Sequence, residues 1–442
     1  MSSKQMTTGS VSKLFFHYLL PSIFATMVTS IYVLADTIVI GQGIGPDAMA
    51  ALNIVLPIFS LFFGIGLLFG VGGSVLMSIA RGRGDKQLGD RYFTIALLLT
   101  AIISLLSTIF LSLFIDPLAD FLGATEVTMP YILDYAPYVI WGLSAFAFSS
   151  FLQAFVRNDG APRLSMAAVI TGGVLNIILD IVFVFPLDLG MAGASIASVI
   201  GSLCTVCILL THFFSKSCGL RLCFKGLSLS HAGKVFANGF TSFLVEITSG
   251  ITIFVFNLQL LKYAGNDGVT IYGVISNTVI IVSCLANGIN QAAQPIISTN
   301  HGAGLVERIA KVRRLGTRTA FLICAVPTLL GLIVPNMFTY IFIKPTAEVL
   351  ALSPLAIRTY FLAFLAMGVN MFIVGYFQAT TKPLFSLILC LLRGCVLGVL
   401  FVLILAPSLG LFGIWLATPL AESVTLLIAW YFLHRSKKEV QV

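Results

Sequence analysis

The residues of this sequence best suited to chemistry are an amide and a carboxylate four residues apart, Asn176 and Asp180. They interrupt an apolar run, residues 175–185, that has the length and composition of a helix in lipid. Side chains four residues apart lie on one face of an α-helix, about one turn from each other. An ionisable group inside hydrocarbon costs about 2.5–3.5 kcal/mol, so its presence there indicates a functional site. We expect Asp180 to bind a coupling cation, or a proton, inside a membrane transporter.

The composition of the chain requires most of its surface to face lipid. Of the 442 residues, 58% are hydrophobic and only 10% are charged, and the mean hydropathy is +1.03. A soluble domain carries about 25% charged residues to keep its surface in water. The sequence therefore predicts an all-α polytopic membrane protein.

Twelve apolar runs are long enough to be transmembrane helices, because a span needs about 20 mostly apolar residues. In the first half of the chain they are residues 13–41, 49–78, 92–115, 129–155, 163–185 and 190–214. In the second half they are residues 234–261, 271–299, 317–343, 352–379, 384–406 and 411–434.

The basic residues orient these spans, because cytoplasmic connectors are rich in Lys and Arg. All but four of the 25 basic residues lie on one side of the predicted topology. Lys262, Lys344 and Arg358 lie on the other side, and Arg393 lies within a span. Residues 1–12 are polar and no cleavage site follows them, so we expect no cleaved signal peptide. The prediction is a multi-pass protein of the inner (cytoplasmic) membrane with both termini in the cytoplasm.

The two halves of the chain repeat each other with an offset of 220 residues. Residues 78–84 match residues 298–304, and residues 190–193 match residues 410–413. Six spans in each half give the two repeats the same orientation. Their pseudo-two-fold axis should therefore run along the membrane normal, and such duplicated lobes are typical of transporters.

The duplication predicts three segments in the chain. Residues 1–214 form an N-lobe with spans 1 to 6, and residues 234–442 form a C-lobe with spans 7 to 12. The basic stretch 215–233 between them is the predicted cytoplasmic linker. Alternating access around a central cavity is the usual use of this architecture.

Four of the 17 acidic residues lie well inside predicted spans, and they are Asp36, Asp180, Glu246 and Glu422. At 1.5 Å per residue, Asp36 and Asp180 both lie about 7–8 Å below the outer boundary. Asn176 and Ser198 lie about 12–14 Å deep on the same measure. Two carboxylates, one amide and one hydroxyl are oxygen ligands suited to Na⁺. Alternatively, the two carboxylates share a proton, because like charges in a low dielectric disfavour each other.

Each buried acid also has a purely structural interpretation. Asp36 and Asp180 could simply hydrogen-bond neighbouring helices, but no Lys or Arg in the first six spans is deep enough to neutralise them. Glu246, near the middle of span 7, could attract an organic cation or a second proton, or could pair with a polar side chain of an adjacent helix. For Glu422 we favour a structural ion pair with Arg393 of the adjacent span.

Other function classes find little support in the sequence. The positive net charge of +8 is spread over short connectors, which argues against a nucleic-acid surface. The motifs HExxH, GxxxxGK[ST] and GxSxG are absent, so no enzyme and no cofactor is predicted. Cys204 and Cys207 have CxxC spacing but lie in an apolar span, where we expect small core residues. Without a nucleotide site, transport would be driven by an ion gradient.

At this point the chain resembles the multidrug and toxic compound extrusion (MATE) transporters, in their prokaryotic branch. The resemblance rests on residues 176–180 and 153–162, with Asp36 in residues 35–37 and residues 410–413 in support. It implies two six-helix lobes that form a V around a central cavity. It also implies export of cationic or amphipathic drugs, by alternating access, in exchange for Na⁺ or H⁺.

The resemblance implies roles for individual residues. The cation site of the family's N-lobe would fall on Asp36, Asn176, Asp180 and Ser198, and Na⁺ would be held by the first three. Tyr135 would be a neighbouring hydrogen-bonding group. Pro21 would be the hinge of the bending first helix, and its position inside span 1 also predicts a kink. Glu246 would match an acid of the seventh helix and line the substrate cavity. The tenth-helix acid of some members is missing here, so we expect the cation site in the N-lobe.

Several alternatives stay open at this point. A flippase for a lipid-linked saccharide would need several cationic residues in a groove, and only Arg393 lies within the spans. A channel usually needs oligomeric symmetry, whereas the internal duplication here leads us to expect a monomer. The expected partners are small organic cations and membrane lipid. The same oxygen atoms can serve Na⁺ and H⁺, so the sequence does not choose the coupling ion.

Overall fold

The computed structural model describes residues 3–438, and within them it contains α-helices, short turns and no β-strand. In the first half the helices are α1 (Ser3–Thr8), α2 (Val11–Gly43), α3 (Pro46–Gly82), α4 (Lys86–Phe121), α5 (Met129–Asn158), α6 (Pro162–Val184) and α7 (Gly190–Leu210). The others are α8 (Leu229–Gly302), α9 (Val306–Ile333), α10 (Pro335–Phe342), α11 (Ala347–Phe361), α12 (Ala363–Ala379), α13 (Pro383–Leu391) and α14 (Leu397–Lys438). Several helices, such as α3, α6 and α13, begin with a proline, whose fixed φ suits the first helical position.

Ten helical segments of the described chain are long and apolar enough to cross a membrane, so the all-α polytopic class is confirmed. Two of them, Thr252–Gly302 and Pro383–Ser436, have 51 and 54 residues. At 1.5 Å per residue each exceeds twice the hydrocarbon thickness of about 30 Å. Each is interrupted by a glycine with positive φ, Gly265 at 59° and Gly410 at 61°, close to the predicted span boundaries. The number of twelve spans stays a prediction.

The chain divides into two compact units. The first contains Met1–Glu246 and Gln294–Ile309, and the second contains Ile247–Ala293 and Ala310–Val442. In the first unit α3 packs against α4 and α5, and α6 packs against α2 and α7. In the second unit α12 packs against α13 and α14. The lobe and linker boundaries deduced from the repeat remain predictions.

The segment that follows α7 is fixed to the first unit through Asp159. One carboxylate oxygen of Asp159 pairs with the Arg81 guanidinium. The other lies 2.7 Å from His212 Nε2 and accepts the Gly219 N–H at 2.8 Å. Burial raises the pKa of the nearby Cys218 thiol, which keeps it protonated. The cluster of Asp159, His212 and Cys218 is therefore structural, because a metal ion would have to displace these bonds beside a guanidinium charge.

The last turns of α3 and α8 are in contact at two glycines, Gly82 and Gly302, which occupy equivalent positions in the two sequence repeats. A Cβ atom on Gly82 would overlap backbone atoms of Thr299 and Ala303, and one on Gly302 would overlap backbone atoms of Ile79. With the offset of 220, Gly82 corresponds to Gly302 and Ile79 corresponds to Thr299. The exchange of the two repeats therefore maps this contact onto itself.

We expect Gly82→Ala and Gly302→Ala to lower the melting temperature of the purified protein. The added methyl group forces the two backbones apart, and overpacking of this kind costs about 1–3 kcal/mol. Gly233 of α8 is the matched control, because open space surrounds it. Gly233→Ala should be neutral or stabilising, since alanine favours a helix over glycine by about 0.5–1 kcal/mol. Equal melting temperatures for all three variants would contradict the close contact.

Candidate functional site

Helix α6 turns Asn176 and Asp180 toward the protein interior. Its buried positions recur every three or four residues, and Asn176 is 3% exposed and Asp180 0%. Ile178 and Ile181 point outward on the opposite face, with 52% and 46% exposure. This is the pattern of a helix with one face on protein and the other on lipid. The two polar side chains therefore share the protein face of α6, as their spacing predicts.

Close packing of α7 on α6 places a hydroxyl beside the amide. A Cβ atom on Gly201 of α7 would lie 2.8 Å from both the Asn176 Cβ and the Gly172 carbonyl oxygen, so only glycine fits between the helices. Ser198, about one turn before Gly201, accepts a hydrogen bond from Asn176 Nδ2 at 3.2 Å. The side-chain N–H of Asn176 therefore donates to Ser198. Asp180 is also a neighbour of the Asn176 amide.

Helices α2 and α5 complete the site with Asp36 and Tyr135. Asp36 is 9% exposed, and Tyr135 is 0% exposed in an apolar cluster with residues such as Val139 and Val184. The charges of Asp36 and Asp180 act on each other and on the Tyr135 hydroxyl. The structure thus brings together five of the residues singled out in the sequence, namely Asp36, Tyr135, Asn176, Asp180 and Ser198.

The oxygen atoms at the centre of this site lack hydrogen-bond donors within the described chain. They are Oδ1 of Asp36, Oδ1 of Asn176, both carboxylate oxygens of Asp180 and the Tyr135 hydroxyl. Neither carboxylate forms an ion pair with a Lys or Arg among residues 3–438. Buried polar atoms almost always have a partner, and each missing one costs about 1–3 kcal/mol. A proton or Na⁺ between these oxygens would remove that cost.

Two cavities adjoin the site within the first unit. A small one of about 30 Å³ touches Asn176, Ser198 and Tyr32. Its volume is enough for one or two water-sized species. A larger one of about 210 Å³ contains Asp36 and Glu246, and aromatic rings such as Phe59 line its wall. Ser198 and Tyr32 line both cavities.

Two other predicted residues do not belong to this group of oxygen ligands. Pro21 lies inside α2, which continues from Val11 to Gly43. Its role as a hinge stays a prediction. Glu422 forms an ion pair with Arg393 at 2.9 Å, which confirms the expected pairing.

Sequence reasoning missed Tyr32 as a site residue. Tyr32 stands four residues before Asp36, and Thr29 stands three before Tyr32, so all three share one face of α2. All three line the larger cavity. That spacing was a usable signal, but a tyrosine in an apolar helix is usually a packing residue.

Comparison with known proteins gives three consistent findings. The sequence model of the family described as MatE matches residues 21–182 and again residues 239–404, once in each half of the chain. The multidrug export protein MepA of Staphylococcus saprophyticus is 26% identical over 440 residues, which cover 98% of this chain and 96% of that protein. MepA of Staphylococcus aureus strain MSSA476 is 24% identical over 438 residues, with 98% and 95% covered.

Solved structures share the fold. A multidrug resistance MATE family transporter of the MOP superfamily in an outward-facing conformation superimposes with a TM-score of 0.92. It is 23% identical and covers 99% of this chain and 98% of its own. The crystal structure of a MATE in the bent conformation also gives 0.92, at 22% identity, with 100% and 98% covered.

We expect Asp180→Asn to raise the melting temperature at neutral pH in Na⁺-free buffer, by an amount equivalent to about 1–3 kcal/mol. The amide removes one of two unbalanced charges and supplies N–H donors to the neighbouring oxygens. Na⁺ or acid should stabilise the original protein more than the variant, because only the original binds the ion. Asp120→Asn, at an exposed position on α4, is the matched control. It should change neither the melting temperature nor the stabilisation by Na⁺ or acid. A lower melting temperature for Asp180→Asn would show that its carboxylate has donors after all.

Proposed function

This chain belongs to the MatE family of membrane transporters, and from that premise we propose that it exports cationic or amphipathic organic compounds in exchange for H⁺ or Na⁺. Relatives that match it over nearly their whole length are named multidrug export proteins. Members of the family are transport proteins, so the function is the movement of a compound and not its conversion.

The observation that carries the proposal is a pair of buried carboxylates, Asp36 and Asp180, which form no ion pair with Lys or Arg in the part of the chain that the structure describes. A Lys or Arg side chain would neutralise the two carboxylates permanently. An ion that binds and leaves neutralises them only during part of a transport cycle. The Asn176 and Tyr135 oxygens enlarge the set of ligands, and Ser198 orients the amide. We propose that Na⁺ or a proton binds here. All these ligands are oxygens, so both ions fit.

The larger cavity suits an organic cation. It contains the carboxylates Asp36 and Glu246 and the rings Phe59, Phe63 and Phe146, so it offers negative charge within an aromatic wall. A positive charge is attracted both to carboxylates and to the faces of aromatic rings. Asp36 lines this cavity and also belongs to the coupling site. Binding of a substrate cation beside Asp36 therefore opposes binding of the coupling ion, and this opposition couples the two movements.

The proposed cycle is alternating access between the two sides of the membrane. The ends of α3 and α8 are in close contact at Gly82 and Gly302, and we propose that such helix ends shift during the cycle. Pro21 removes a backbone hydrogen bond from α2, the helix that carries Asp36. Bending at Pro21 would move Asp36 relative to α6.

Membrane placement follows from the same proposal. We propose that the protein works as a monomer in the cytoplasmic membrane, with both termini in the cytoplasm, because the basic connectors lie on that side. A flippase for a lipid-linked saccharide is less well supported. Its anionic substrate would need free guanidinium groups within the spans, and Arg393 is already bound to Glu422.

The experiment that tests the proposal is efflux of an organic-cation dye from proteoliposomes under separately imposed Na⁺ and pH gradients. Asp36→Asn and Asp180→Asn should each abolish gradient-driven efflux, because an amide neither releases a proton nor balances Na⁺. Asp120→Asn should transport like the original protein. Unchanged efflux in both site variants would reject the coupling site.

Glu246→Gln should weaken transport of cationic compounds more than transport of neutral ones. The carboxylate supplies attraction only to a positive substrate, and the shape of the cavity is nearly unchanged by the amide. The ratio of initial efflux rates for a cationic dye and for a neutral compound of similar size is the measurement. Equal losses for both compounds would show that Glu246 has a structural role.

A further inference from the structure

The second unit contains a buried carboxylate whose oxygens are both occupied. Glu422 of α14 is 3% exposed, and its Oε1 lies 2.9 Å from an Arg393 NH2 group. Its Oε2 accepts a hydrogen bond from Asn370 Nδ2 at 2.7 Å. The same Asn370 N–H₂ group donates to the Glu422 backbone carbonyl at 2.8 Å. Glu422 therefore differs from Asp180, whose two oxygens accept no hydrogen bond of normal geometry within the described chain.

Arg393 is presented to Glu422 by an unusual backbone turn. Residues Leu392–Val396 form a π-helical turn between α13 and α14. The Thr252 hydroxyl donates to the Gly394 carbonyl at 2.5 Å and so supports the widened turn. Such turns cost stability and are found mostly where a side chain must be placed for function.

The repeat relates this ion pair to the candidate cation site of the first unit. With the offset of 220, Glu422 corresponds to Ser202 and Arg393 corresponds to Gly173. Alignment on the helix-starting prolines Pro162 and Pro383 shifts the second match by one residue, to Gly172. Ser202, Gly172 and Gly173 all line the small cavity beside Asn176 and Ser198.

The residues of the second repeat that are equivalent to Asn176 and Asp180 are apolar. Asn176 corresponds to Val396, and Asp180 corresponds to Leu400. The second half thus lacks the oxygen ligands of the first half and has a guanidinium and one acid instead.

We propose that Arg393 is a tethered cation that occupies, in the second half of the transporter, the place of the exchangeable ion in the first half. A guanidinium stays charged at every physiological pH and cannot leave, so Glu422 does not take part in exchange. The exchange would then take place at Asp36 and Asp180 and not at Glu422. Arg393 is in this sense a positioning residue that sets how many ions are exchanged. The inference rests on the proposed ion-coupled export.

The groups around Glu422 allow a clean test. The titratable side chains that face it from neighbouring elements are Arg393, Tyr360 of α11 and Cys324 of α9. Tyr360 and Cys324 are neutral at physiological pH. Removal of Arg393 therefore leaves Glu422 as a buried acid without any positive neighbour among the described residues. Such an acid must take up a proton or Na⁺.

The experiment compares Arg393→Gln, Glu422→Gln and the double variant by thermal unfolding, with and without Na⁺ and at neutral and mildly acidic pH. Arg393→Gln should melt lower than the original protein and should recover with Na⁺ or acid. The double variant should regain the original melting temperature and the original ion dependence, because no charge is left unbalanced. Arg393→Lys keeps the charge and should show no new ion dependence, even if Arg393→Gln does not fold. Arg358→Gln, an exposed arginine of the same unit, is the control.

The second measurement is the number of ions exchanged per substrate, found by balancing a substrate gradient against an imposed ion gradient. The original protein and the double variant should exchange the same number. An altered number, or loss of ion coupling, in Glu422→Gln or the double variant would overturn the proposal. If the original protein shows no gradient-driven export, the proposed function fails, but the thermal comparison still tests whether Arg393 replaces an ion.

Discussion

The constraint on which this structure depends is the burial of two carboxylates that have no positively charged partner among the residues that the structure describes. In a medium of low dielectric an unpaired carboxylate is so unfavourable that proteins normally pair or protonate it. Here Asp36 and Asp180 are buried, and they act on each other and on the Tyr135 hydroxyl. The surrounding packing must therefore hold the two carboxylates close together against their mutual repulsion. The close approach at Gly201 and the complete burial of Tyr135 in an apolar cluster keep the oxygens together.

A good part of this arrangement could be predicted from the sequence. The spacing of Asn176 and Asp180 placed them on one helix face, and counting residues from the span ends put Asp36 at the same depth as Asp180. The pairing of Glu422 with Arg393 followed from opposite charges in adjacent spans, and the structure confirms it. The shared helix face and the ion pair could be deduced because a polar group in lipid has few alternatives, so its neighbours are tightly limited. The equal depth of Asp36 and Asp180 stays a prediction.

Other features have no signal in the sequence that local reasoning can use. The π-helical turn at Leu392–Val396 follows the same apolar pattern as an α-helix, and only the contacts with Thr252 and Glu422 distinguish it. The interruption of α8 is confined to Gly265, although the predicted spans left residues 262–270 between them. Helix–helix distances such as that at Gly201 depend on which helices are neighbours. The spacing of residues along one helix does not identify its neighbours. Tyr32 is different, because its spacing to Asp36 places both side chains on one face of α2, where both line the larger cavity.

The duplicated halves share a fold but differ in charge, and this difference bears directly on transport. Asp36 and Asp180 of the first unit form no ion pair with Lys or Arg among the described residues, whereas Glu422 of the second unit is neutralised by Arg393. On the proposed function, a positively charged ion or compound would be attracted to Asp36 and Asp180 and not to Glu422. Because both would bind beside Asp36, each weakens the binding of the other, and such mutual weakening is a coupling free energy. A second unpaired acid in the other half would let ion and compound bind at separate places without opposing each other. On this argument the salt bridge between Arg393 and Glu422 would protect the coupling that we propose for Asp36 and Asp180.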